Sequence, residues 1–176
     1  MRYWFIHISL LVCLTASFAG QTDSWHRYTN TNGNFSVLMP VEPQESVNGE
    51  RENASASHTI QAVSGSVAYT VVYVTMNSEQ KVDEVTFKVY RDAFMKGLPQ
   101  CDLVTEDVAS PAVQGYVGHW YRMNCRIGDK KVSFVGNLYW GKHYAYAVLT
   151  MFPTAPSDPP ATRQFADSFS VIDASK

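Results

Sequence analysis

The sequence predicts an α+β domain: an antiparallel β-sheet with helices packed on it. Three observations predict it. Residues 113–127, 131–140 and 142–152 are strand-like runs separated only by Gly128-Asp129 and Gly141, the pattern of an antiparallel meander. One strongly amphipathic segment, residues 82–96, lies between two groups of strands, and a shorter helical segment precedes the last strand. Strands that come in groups, rather than alternating one for one with helices, are the order of an α+β fold.

In chain order, residues 25–29 read as a first short strand and 30–34 as a turn rich in Asn and Gly. Residues 35–39 are a strand stopped by Pro40, with Pro43 beyond. Residues 45–48 and 54–62 alternate polar and apolar around Gly49, as a solvent-exposed hairpin does, and Gly65-Ser66 is the next turn. Residues 67–76 are apolar on both faces, which marks a central strand covered on both sides. In the helix at 82–96, Phe87, Tyr90 and Phe94 recur at i, i+3 and i+7 with Val82, Val85 and Val89 alongside. Lys88, Arg91, Asp92 and Lys96 lie towards the other side. Gly97 is the natural C′ residue and Pro99 blocks continuation. Residues 103–108 form a strand that turns at Ser110-Pro111 into the meander. After the loop 153–160, Asp158 can cap a helix with Pro159 at its first position, running to about Ser168 and feeding a last strand, 169–172. There is no internal repeat and no sign of a second domain.

Residues 1–19 carry the features of a signal peptide. Arg2 supplies the positive start, 3–16 is an apolar run interrupted by His7, Ser9 and Thr15, and Ser17-Phe18-Ala19 places small residues at −3 and −1. The run falls short of the roughly 20 apolar residues a membrane span requires. A lipoprotein reading at Leu10-Leu11-Val12-Cys13 is disfavoured by the bulk of Val12 before the cysteine. Cleavage after Ala19 leaves one domain, residues 20–176, with no membrane span, in the periplasm or outside the cell. The chain has 14 basic and 16 acidic side chains; the leader removes Arg2, leaving 13 against 16. That balance argues against nucleic acid and against a polybasic membrane contact. Cys13 leaves with the leader, so Cys101 and Cys125 remain, and in an oxidising compartment such a pair reads as a structural disulfide. A hairpin turning at Ser110-Pro111 does not put the two in direct opposition, so bridging them requires an offset or a bulge.

Three stretches together resemble the PsbP-like family. They are Trp25 through Tyr28 to Asn34-Phe35-Ser36-Val37-Leu38-Met39-Pro40 with Pro43 following; Leu138-Tyr139-Trp140 on to Leu149; and Phe165-Ala166-Asp167-Ser168-Phe169-Ser170-Val171. That family includes the extrinsic PsbP subunit of photosystem II, the Mog-type Ran-binding proteins and many exported bacterial proteins. The resemblance covers most of the chain in order through short structural motifs. It implies an antiparallel sheet between layers of helix, an αβα sandwich. Family roles range from photosystem assembly to GTPase binding, and neither set of contacts maps onto residues of this chain, so the fold alone does not decide the function.

No catalytic constellation, cofactor motif or metal-ligand spacing is present. His26, His58, His119 and His143 fall on separate strands; His119, between Gly118 and Trp120, reads as a structural histidine. Asp102 and Glu106 are expected on one face of a solvated edge strand with Asp107 beside them. Ser66, Ser133 and Ser168 lack the surroundings of a nucleophile, and Gly141-Lys142 lacks the rest of a phosphate loop. Asn34-Phe35-Ser36 and Asn53-Ala54-Ser55 match the glycosylation pattern. Tyr116, Trp120, Tyr139, Trp140, Tyr144 and Tyr146 make the meander aromatic. Of these, Tyr116, Trp120, Trp140 and Tyr144 are the candidate ligand face, set against ordinary core and cross-strand packing. The leading expectation is an exported, non-enzymatic module that binds a protein partner or aids assembly of an envelope complex. The alternative is a small-molecule or glycan binder using the aromatic meander, and a hydrolase ranks behind both.

Overall fold

The alternation of buried and exposed residues along Phe35–Met39 sets the layout: Phe35, Val37 and Met39 are fully buried while Ser36 and Leu38 are not. In the computed structural model, which describes residues 24–48, 56–98, 100–109, 111–155 and 157–173, that strand turns its apolar side onto the face of a larger sheet. The leader, Gly49, the Asn53 motif, Pro99 and Ser110 lie outside the described residues.

The elements follow as β1 (His26–Asn30), β2 (Phe35–Met39), β3 (Gln44–Asn48), β4 (Ser57–Ser64), β5 (Val67–Thr75), α1 (Glu84–Gly97), β6 (Cys101–Val108), β7 (Val117–Ile127), β8 (Lys130–Trp140), β9 (Tyr144–Pro153), α2 (Ala161–Asp167) and β10 (Ser170–Val171). They make two antiparallel sheets, a small one ordered β1-β2-β10 and a seven-stranded one ordered β3-β4-β5-β9-β8-β7-β6. β5 is a central strand of the large sheet, as its two apolar faces require. One face of the large sheet carries Tyr69, Val71, Tyr73, Tyr139, Tyr146 and Val148, packed with Phe35, Val37 and Met39 of β2 and with Phe165 and Phe169. The other face carries Val72, Tyr121, Met123, Phe134, Leu138, Ala147 and Leu149, closed by Phe87 and Phe94 of α1.

The expected fold class is corrected here. The described residues are mostly β, with two sheets and two helices, and not a single sheet sandwiched by helices. The cause lies in β1, β2 and β10. A strand pair with one apolar face has to bury it, and a sheet face serves as well as a helix. Periodicity shows that β2 is a strand but not which sheet it joins. The second helix also differs. α2 begins at Ala161 with Pro160 before it and has no side-chain cap. Asp158 is instead taken by the Arg122 guanidinium. α1 matches its expected span closely. Asp83 is its N-cap, accepting from the Thr86 amide at 2.8 Å in a capping box, and Gly97 is its last residue rather than the one beyond. β7 begins at Val117, later than expected, because Gly115 at φ 80° turns the preceding segment and Tyr116 N–H closes a turn onto the Val113 carbonyl.

Candidate functional site

Among the described residues β6 ends the seven-stranded sheet and is paired on one side only, to β7. From Asp102 onward all of it is exposed. Cys101 lies opposite Cys125, Leu103 opposite Met123 and Thr105 opposite Arg122, so Val104 is an extra residue, a β-bulge. The bulge reconciles a hairpin whose turn is out of register with a disulfide between directly opposed residues, and Cys101 and Cys125 are bridged. It also corrects the expected placement of the carboxylates. Opposed residues share a face of a sheet, so Asp102, opposite Asn124, lies on the α2 side, and Glu106, opposite Tyr121, lies on the α1 side.

On the α1 side Glu106 becomes the centre of a polar network. Tyr121, fully buried, donates its hydroxyl to Glu106 Oε1 at 2.7 Å. Arg91 of α1 reaches both carboxylate oxygens, at 3.1 and 3.2 Å, and also donates to Asp92. His119 lies beside them. Its ring stacks on Phe87 at 4.7 Å, Nε2 is 3.1 Å from Glu84 Oε2, and Nδ1 is 3.1 Å from Glu106 Oε1 but out of line for a hydrogen bond. Desolvation pushes the Glu106 carboxyl up, yet the bonds from Tyr121 and Arg91 and the nearby positive charge outweigh it, leaving the group below its ordinary value of 4.5. Burial first, and the bond to Glu106 second, push the Tyr121 phenol far up, so it stays a donor. Glu84 and Arg91 sit two helical turns apart on one flank of the apolar stripe, and that spacing was the available sequence signal for this network. Its chemistry is that of a clamp. It joins α1 to the sheet edge through charge-assisted bonds.

Several large apolar side chains are exposed on the two elements that the clamp joins. Leu103, Val104 and Val108 of β6 are 51%, 48% and 77% exposed, and Val85 and Val89, one turn apart on α1, are 74% and 68% exposed. Most of the exposed large hydrophobics among the described residues therefore lie on these two neighbouring elements.

The residues of the candidate ligand face fall into separate environments. Tyr116 and Tyr144 both pack around Tyr146, at ring distances of 5.6 and 5.9 Å, on the β2 side of the large sheet. Trp120 is buried on that side with Val135, Phe152 and Ala166, under the Arg163 guanidinium at 3.7 Å. Trp140 is on the α1 side, 5.2 Å from Tyr90, and donates its indole N–H to the Lys81 carbonyl at 3.0 Å. The four histidines do not converge. His26 is beside Glu42, His58 beside Glu45, His143 beside Glu79, and His119 belongs to the clamp. Ser168 joins α2 to β2, donating to the Phe165 carbonyl and accepting from the Leu38 amide at 2.8 Å. Among the described residues no group of three or more His, Cys, Asp or Glu side chains is placed to hold a metal ion, and no helix is long and apolar enough to cross a membrane. No protein-family model matches the chain, and no curated protein matches it either.

Proposed function

We propose that this chain is an exported, non-enzymatic module that docks a protein partner against β6 and the outward side of α1. The observation that carries the reading is the concentration of exposed apolar side chains on an unpaired sheet edge and the helix clamped to it. Burying such side chains yields about 25 cal/mol per Å² of apolar area, and clustered exposure of this kind marks interaction surfaces. The disulfide and the Glu106 network hold that edge in shape before binding, which lowers the cost of ordering it. The disulfide is compatible with an oxidising compartment, and the leader-like residues 1–19 supply the route to one. The resemblance to the PsbP-like family also supports a partner-binding role.

The chemistry of β6 describes the partner. Asp102, Glu106, Asp107 and the bulge at Val104 discourage edge-to-edge pairing with a second copy, because like charges would come together. They favour a partner segment that mixes apolar and basic side chains. The test is in-cell cross-linking of the tagged protein in its native host, with mass spectrometry of what is recovered, for wild type and for a Val89→Asp/Val108→Asp variant. One reproducible envelope partner, lost in the variant at an unchanged melting temperature, is expected. Equal recovery in the variant, or no recovery with wild type, refutes the reading.

A further inference from the structure

The same end of the large sheet presents a different chemistry on its other face. An open cavity of about 550 Å³ lies there, beside the disulfide and across the ends of β6, β7 and β8, with Thr154 also in its lining. Two features set it apart from an ordinary polar surface. Arg126 and Lys131 are directly opposed across β7 and β8, and neither has an ion-pair partner among the described residues. Like charges directly opposed across a strand pair destabilise it, and a bound anion would relieve that. Next to them is Asn124, whose amide oxygen accepts from the fully buried Ser133 hydroxyl at 2.8 Å. That bond fixes the amide and leaves its N–H groups for the cavity. Ser133 also lies 3.2 Å from the Thr154 hydroxyl. The cavity is therefore rich in donors, with one carboxylate at its rim. Asp102, opposite Asn124, is placed on this face by the Val104 bulge.

We infer that this cavity is a binding site for a small polar ligand that carries a carboxylate together with an ammonium or hydroxyl donor. Arg126, Lys131 and the Asn124 amide hold the carboxylate, a charge-assisted arrangement suited to a planar anion. Asp102 takes the donor and repels ligands that are anionic throughout. Without Asp102 the site would accept inorganic phosphate; with it, a ligand of mixed character is preferred. The inference shares strand β6 and Asp102 with the partner-docking edge, but Arg126, Lys131, Asn124 and Thr154 take no part in that reading.

The test is titration of the ¹⁵N-labelled protein, followed by NMR, with three probes: L-glutamate, galacturonate and inorganic phosphate. Saturating shifts at the amides of Asn124, Arg126, Lys131 and Thr154 are expected with at least one organic probe, with phosphate weaker. An Arg126→Gln/Lys131→Gln variant should weaken that binding about tenfold or more while the remaining resonances stay in place, which shows that it is folded. Asp102→Asn should raise phosphate affinity severalfold. Absence of saturation with all three probes, wild-type phosphate binding as tight as either organic probe, or binding that survives in the double variant overturns the proposal.

Discussion

Glu106 shows how one side chain acquires a role from its surroundings. In sequence it is one of three acidic residues in CDLVTEDV. In the fold it accepts from Tyr121 and Arg91, and its carboxyl is held below the ordinary value. A carboxyl whose folded value is depressed contributes stability that is present above the unfolded value, here 4.5, and is lost as pH falls through the folded value. Glu106→Gln removes the charge and keeps the shape. It should cost about 1–3 kcal/mol at neutral pH, the range for a hydrogen-bonded charged group. Urea titrations at pH 7 and near pH 3 check this. Wild type and variant should differ at pH 7 and converge in acid; a gap that persists at low pH would mean the substitution acts through packing instead. Asn34 marks the limit of local reading. An Asn in the turn of residues 30–34 was legible, and at φ 56° it does adopt the left-handed conformation that Asn tolerates. Its side chain also clasps the chain's far end, donating to the Asp173 carbonyl at 2.8 Å and accepting from the Asp173 amide at 3.2 Å. That partner is remote in sequence, and no local pattern encodes it.

At the scale of elements, the strands and α1 were legible because period 2 and period 3.6 are written in the side chains themselves. The meander, α1 and the β1–β2 hairpin all fall within a few residues of their expected bounds. What escaped were features set by pairing rather than by pattern. The Val104 bulge inverts the faces of Asp102 and Glu106 without altering composition, and the large sheet separates Trp120 from Trp140, which pattern alone could not divide between its two sides. The disulfide is the test of how far the edge depends on a covalent tie. Cys101 and Cys125 are 24 residues apart, and closing a loop of that size contributes about 3.5 kcal/mol in the chain-entropy model. A Cys101→Ala/Cys125→Ala variant should lose about that much by denaturant titration. Hydrogen exchange should then show faster opening in β6 than in β8 or β9, since an edge strand has only one paired neighbour. Uniform acceleration across the sheet would indicate that the bridge stabilises the whole fold without preference for its edge.

Across the whole molecule, the open issue was how the first and last segments relate to the meander, because that relation decides the fold class. β2 and β10 come from opposite ends of the chain, yet Val171 is opposite Phe35 and Ser170 opposite Ser36. Phe169, just before β10, is the hinge of this closure. Its ring lies 5.7 Å from Phe35, 5.4 Å from Tyr139 and 5.2 Å from Tyr146, touching both sheets at once. A helix in place of the small sheet would bury the same large-sheet residues, which is why burial patterns alone did not separate the two architectures. If both sheets share one core, Phe169→Ala should destabilise the entire domain, by about 3–5 kcal/mol, rather than release the small sheet alone. Thermal unfolding followed in parallel by near- and far-ultraviolet circular dichroism distinguishes the cases. Coincident transitions, shifted together to lower temperature in the variant, are expected for a single cooperative unit. An early transition confined to the near-ultraviolet signal, with the far-ultraviolet melt in its wild-type place, would instead show that β1, β2 and β10 form a layer the seven-stranded sheet can do without. The partner-docking edge on β6 and α1 and the polar cavity at the ends of β6, β7 and β8 are built without residues of β1, β2 or β10, so in that case they should survive loss of the small layer.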